Sequence, residues 1–261
     1  MSNNVIPPRN LDVTAPEQQL PAEWANRMAQ YAKQGLAAER VTGNMFSSRN
    51  GQLSFGGQAV PNNRMQVIVI GAMHERVWYD KPYAADAPIS PACYAFSFTG
   101  EDMKPHDEVD NPVNPTCAGC PKDEWKSDPV RGKGKACKEQ RRIALIPASA
   151  LATPDDVAKA TVGYLRIPVT STKAFSEHVK HLGMRLLPIF AAVSEVELKP
   201  DPKNMWAFTF KLIAPITQTE LLAALETRYL AELKAMDFPY PKAAPAPDPA
   251  AAAAANSNRK F

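Results

Sequence analysis

Roughly six or seven short apolar runs bounded by Gly and Pro, about three helical periodicities and one proline-rich segment holding all four cysteines stand out in this 261-residue chain. Together they predict an α+β, mainly β fold: an OB-like Greek-key barrel elaborated by a cysteine-clamped loop and flanking helices. A 45% hydrophobic content supplies a core, and the length allows a single sizeable domain with tails. Residues 1–20 are expected as a flexible lead-in, 21–236 as the domain with an insertion over about 90–140, and 237–261 as a disordered Ala/Pro-rich tail.

Taken in order, Trp24, Met28, Tyr31 and Leu36 recur at helical spacing and predict a helix from Ala22 to about Arg40. Gly51 to Phe55 alternates, Gly56-Gly57 signals a turn, Met65 to Ile70 is a buried strand and Val77-Trp78-Tyr79 continues the β pattern. From Lys81 to about Gly134 the chain is polar and proline-rich, so a loop without regular elements is expected; one this long needs something to hold it. Ile143 to Pro147 and Gly163 to Val169 read as strands. Ser171 or Thr172 would cap a helix ending at Gly183, with His178 and His181 on its exposed side. Ile189 to Leu198 and Met205 to Ile213 form two more strands, with Trp206, Phe208 and Phe210 in the core. Thr217-x-x-Glu220 is a capping box ahead of a helix with periodic leucines.

Cys117-Ala118-Gly119-Cys120 is a C-x-x-C knuckle; Cys93 lies 24 positions before it and Cys137 lies 17 after Cys120. Two intervening residues let paired thiolates face one tetrahedral ion, so Cys93, Cys117, Cys120 and Cys137 are candidate zinc ligands, with an iron–sulfur cluster as the alternative. A four-thiolate zinc site is closed and structural, which would staple the loop. Met1-Ser2-Asn3-Asn4 is polar rather than a signal peptide, and no apolar run approaches the roughly 18 residues of a membrane span. A reducing cytoplasm is therefore expected, which argues against disulfides.

The net charge is only +3, so any polyanion site must rest on a local patch. Residues 131–142 supply one, with Arg131, Lys133, Lys135, Lys138, Arg141 and Arg142 against the single acid Glu139. Cations following phosphates and aromatic faces offered to bases are the two requirements of sequence-independent single-strand binding. Trp125, Trp78 and Tyr79 are the stacking candidates, with Tyr83 beside them. Gly132 and Gly134 would let amides approach phosphates, but no P-loop order is present.

Ser54-Phe55-Gly56-Gly57, Val67 to Ile70, Trp78-Tyr79 and Pro91-Ala92-Cys93 occur in that order. Cys117-x-x-Cys120-Pro121, Gly132-Lys133-Gly134-Lys135-Ala136-Cys137-Lys138, Arg141-Arg142 and Leu165-x-Ile167-Pro168 follow. In this series the chain resembles a group of bacteriophage proteins regarded as single-stranded-DNA-binding or replication-associated, over about residues 45 to 213. The resemblance implies an OB-like core with a metal knuckle; the reading that goes with it is a non-enzymatic protein that protects single strands during replication or recombination, in the host cytoplasm if phage-encoded. Phe261 is terminal, as in phage binders with acidic tails, but Asn258-Arg259-Lys260 before it is not acidic.

Two further readings belong to other classes. One is a zinc-stabilised adaptor recruiting replication or transcription proteins through the Thr217 to Met236 helix or the tail; self-association is left open. The other is a metal-dependent nuclease built from Glu101, Asp102, Asp107 and Glu108, which read as readily as a solvated loop. A zinc deaminase is excluded because His74 and Glu75 are adjacent instead of forming H-x-E.

Overall fold

The computed structural model describes Arg27 and residues 44–81, 90–130 and 132–241. The chain divides into two units, Met1–Arg40 and Val41–Phe261, the second carrying every described strand. Arg27 apart, the expected lead-in and the 22–40 helix lie outside the described residues, as do Tyr83, Arg131 and residues 242–261.

A two-stranded hairpin, β1 (Ser54–Phe55) and β2 (Gln58–Ala59), opens the fold. Gly56 and Gly57 take φ of 56° and 80° in its turn, the mirror-image geometry that suits the right-handed twist of paired strands. The main sheet is antiparallel and runs β6 (Gly163–Ile167), β5 (Lys138–Pro147), β3 (Arg64–Trp78), β7 (Ala192–Asp201), β8 (Met205–Pro215). A sixth strand, β4 (Cys93–Ser97), pairs with the far half of β3. The sheet is open, with β6 and β8 at its edges, so the expected OB-like barrel is not closed among the described residues. What holds is the mixed, sheet-rich class, with three complete helices among the described residues: α1 (Pro154–Lys159), α2 (Val169–Gly183) and α3 (Thr219–Ala235).

Strand β3 organises the rest. Its alternation sends Val67 and Val69 to one face, where they pack with Phe175 of α2, and Ile68 and Ile70 to the other, where they pack with Leu221 and Leu225 of α3 and Val157 of α1. A register shift between Val69 and Gly71 against β5 reverses the phase, so Met73 joins the α3 face and Ala72 the α2 face. The sheet is thus covered on both sides, and this explains why β3 and β5 are continuous apolar runs at their centres.

Several local expectations change. Met65 to Ile70 and Val77-Trp78 lie on one continuous 15-residue strand, which ends before Tyr79. The 81–134 loop contains β4. Helix α2 starts at Val169 after Pro168, and Ser171 is no cap: its hydroxyl, buried, accepts the Phe208 amide at 2.9 Å. The Thr217 capping box does not form, since α3 begins at Thr219 with Gln218 as N-cap and no side-chain cap. The working cap is at α1, where Thr153 Oγ1 accepts the Asp156 amide at 3.1 Å. His178 is buried rather than exposed, 2.9 Å from Ser194 Oγ. Residues 237–241 are not tail. Tyr240 is buried, its hydroxyl donating to Glu75 Oε1 at 2.8 Å.

Candidate functional site

Strand pairing brings the cysteines together. Cys93 opens β4 opposite Trp78 of β3, and Cys137 immediately precedes β5, which pairs with the other side of β3. The Cys117 amide donates to Met103 O at 2.8 Å and the Cys137 amide to Lys122 O at 2.8 Å, closing the knuckle over the end of the sheet. All four thiols line one cavity of about 20 Å³, with Arg76, Trp78 and Asp123 beside them. That volume holds a single small body. Burial pushes the Cys93 and Cys117 thiols up and the Cys137 thiol up to about 12, Asp123 adding to the last. Among the described residues, however, no three or more His, Cys, Asp or Glu side chains form a group ready to hold a metal ion. The thiols share a cavity without closing on one point.

A half-buried cation stands against this cavity. Arg76 donates through Nη1 to Asp123 at 2.8 Å, while its buried Nε has no partner. Asp123 also accepts from Lys135 Nζ at 3.0 Å, and Lys122 Nζ lies 4.7 Å from the centre of the Trp78 ring. Arg76 and Asp123 were not candidates from sequence. The one available signal was that Arg76 shares a strand face with Trp78, two residues on.

The basic strip is not a free cationic surface. Lys138 onward is strand β5, so its side chains alternate between faces. Arg142 is fully buried, paired with the equally buried Glu75 at 2.6 Å, and donates to Met236 O and Phe238 O. It sits 4.1 Å from the ring centres of both Phe96 and Phe238. No phosphate can reach it, and it leaves the set of DNA-contacting candidates. Arg141, on the opposite face, pairs with Glu139 at 3.2 Å. Lys138 reaches Asp128 Oδ2 at 2.6 Å and Lys135 is held by Asp123. Buried Asp128 also accepts the Val130 amide through Oδ1, and its own carbonyl accepts the Gly132 amide, so the strip folds around it.

Of the other candidates, Lys133 is exposed, Trp125 keeps 74% of its surface free and Tyr79 40%, while Trp78 is half-buried under Lys122. Trp125 and exposed Lys126 are presented by a segment tied down on both sides, since Ser127 Oγ donates to Lys122 O and Glu124 O and accepts the Ala136 amide. The acids Glu101, Asp102, Asp107 and Glu108 are all exposed and form no metal-holding group. No helix among the described residues is long and apolar enough to cross a membrane. Comparison with protein-family models, curated proteins and solved structures returns no match. The site therefore rests on its own geometry.

Proposed function

We propose that this chain binds single-stranded DNA largely without regard to sequence, as the resembling phage proteins are held to do, protecting strands during replication or recombination. The observation that carries the reading is Trp125: a large aromatic, three-quarters exposed, held on a cross-braced loop with Lys126 and Lys133 exposed near it in sequence. Leaving a tryptophan in water is unfavourable, and a stacking base would cover it. Phosphate neutralisation falls to the exposed Lys126 and Lys133 rather than to the whole strip, so the expected salt dependence is shallow for a nucleic-acid binder.

The proposal includes zinc held by Cys93, Cys117, Cys120 and Cys137. The donor set is soft, the shared cavity is of atomic size, and Arg76 Nε–H lacks an acceptor that a thiolate sulfur would supply. Bound zinc would hold the loop's two ends together and take no part in chemistry. The adaptor reading is weaker, because Leu221 and Leu225 of α3 and Met236 just past it are committed to the core.

Fluorescence anisotropy with labelled oligo-dT across a salt series tests the proposal. Binding to single strand but not duplex, lost in Trp125→Ala, supports it; no binding at low salt refutes it.

A further inference from the structure

The way β3 is shared leaves a notch in the sheet. On one side β3 pairs with β5 along most of its length. On the other it pairs with β7 only as far as Ile68 and with β4 only from His74 onward. Between those partners a groove of about 590 Å³ opens, floored by Ala72 and His74 and walled by α2 and the turn before β7. That volume falls within the range of small-ligand sites, roughly 300–1,000 Å³.

Its lining is mainly apolar, with the aromatic rings of Phe98, Phe175, Phe190 and Tyr229 among aliphatic side chains and two cations, Arg141 and Lys180. Phe98, 44% exposed, stands at the groove, and Phe190 and Tyr229 form a ring pair with centres 5.0 Å apart. Arg141, Lys180 and His74 contribute positive or titratable nitrogen, and no Asp or Glu side chain lines it. Glu139, 3.2 Å from Arg141, neutralises part of that charge from outside the lining. Of the β3 residues lining the groove, Ala72, Met73 and His74, the first and last are followed on the same face by Arg76 and Trp78 of the thiol cavity. The groove and the thiol cavity thus share one strand, β3.

We infer that this groove is a nucleotide subsite. It takes an unpaired base against Phe98, with the flanking phosphates met by Lys180 and Arg141, and extends the single-strand path beyond the cysteine loop. The inference rests on the single-strand reading above. A largely apolar groove that carries aromatic rings, two cations and no acid in its lining is complementary to a strand whose bases are flat and apolar and whose backbone is anionic. Stacking would cover the exposed ring of Phe98. The sequence reading missed the site because its residues are drawn from β3, β5, α2, α3 and two connections.

The test uses the full-length protein, labelled oligo-dT, and a Phe98→Ala/Lys180→Glu variant beside Trp125→Ala. About tenfold weaker binding of the groove variant is expected, with its thermal midpoint unchanged. The slope of log affinity against log salt should be shallower by about 0.7 for the lost phosphate contact. Should that variant unfold, photocrosslinking of a 5-iodouracil-substituted oligonucleotide to wild-type protein gives an independent readout. Adducts on peptides holding Phe98 or Tyr229 support the subsite. Crosslinks confined to residues 120–138, or wild-type affinity in a folded groove variant, overturn it while leaving single-strand binding intact. Wild-type protein that binds no oligo-dT overturns both.

Discussion

Replacing Arg142 by Ala should unfold the protein more readily without removing any surface charge. The guanidinium is fully buried, 2.6 Å from a Glu75 carboxylate that is equally buried, and donates to the carbonyls of Met236 and Phe238. Alanine would leave Glu75 with only neutral donors, Tyr240 Oη at 2.8 Å and Gln140 Nε2 at 3.1 Å, and the more distant Arg166 at 3.7 Å. Breaking a buried pair from one side costs about 3–5 kcal/mol. At about 2–4 °C per kcal/mol for a domain of this size, the midpoint should fall by about 6–20 °C. Circular dichroism melts and urea titrations read the change directly. Lys133→Ala is the control, expected within about 0.5 kcal/mol of wild type because its side chain is exposed. A Glu75→Gln/Arg142→Met double variant should lose less than the two single changes summed, since neither of the two fully buried charges is left facing an empty partner. If Arg142→Ala melted with wild type while binding DNA poorly, the core assignment would fall and the strip would regain its surface role.

Purified protein should carry one zinc per chain by elemental analysis; a Cys117→Ser/Cys120→Ser variant should carry none and melt lower, and an equal midpoint with no metal in either would end the zinc reading. Gly51→Ala should be destabilised by about 1–3 kcal/mol or more in urea, because Gly51 has φ of +73° and an added Cβ would stand 2.1 Å from the Trp206 ring; full stability would show that ring free to move. Stability should fall on acidification. Burial, with the charge of His181 second, lowers the pKa of His178, so the unfolded chain takes up its proton first. The contribution is whole above the ordinary value of 6.5 and is lost as pH drops from there through the folded value. His74, also lowered, adds in the same direction. In His178→Gln the decline between pH 7.5 and 5 should be shallower; an unchanged slope would rule out His178 as a source.

The strands were legible where period and punctuation agreed. Gly56-Gly57 marked a hairpin turn and Met65 to Ile70 a buried strand, because a turn needing positive φ and a doubly covered strand each leave a local signature. The basic strip misled for the same reason in reverse. Lys135, Lys138 and Arg142 find their acids at Asp123, Asp128 and Glu75, partners 10 to 67 residues away that no local window pairs with them. The burial of His178 has no local signature, because the polar atom that satisfies it, Ser194 Oγ, belongs to β7. Thr217-x-x-Glu220 has the letters of a capping box, but the β8 chain runs on to Pro215 and the helix starts late. Thr153-Pro154-Asp155-Asp156 carried the same kind of signal and was passed over, its helix being only 6 residues long.

The cysteine cavity and the proposed DNA-facing aromatic are mechanically one object. Asp123, which joins Arg76 of β3 to Lys135 of the loop, lies two residues before Trp125, and Cys137 is hydrogen-bonded through its amide to Lys122. Loosening the thiol end therefore frees the segment on which Trp125 is presented, without touching Trp125 itself. A base that stacks on a fixed ring loses less conformational freedom on binding than one that must first order a loop. Removing the cysteines should accordingly weaken DNA binding through presentation, leaving the salt slope near wild type because no phosphate contact is lost. Removing Lys126 and Lys133 should do the opposite, flattening the slope while the loop stays ordered. The two signatures separate a structural knuckle from a charged one.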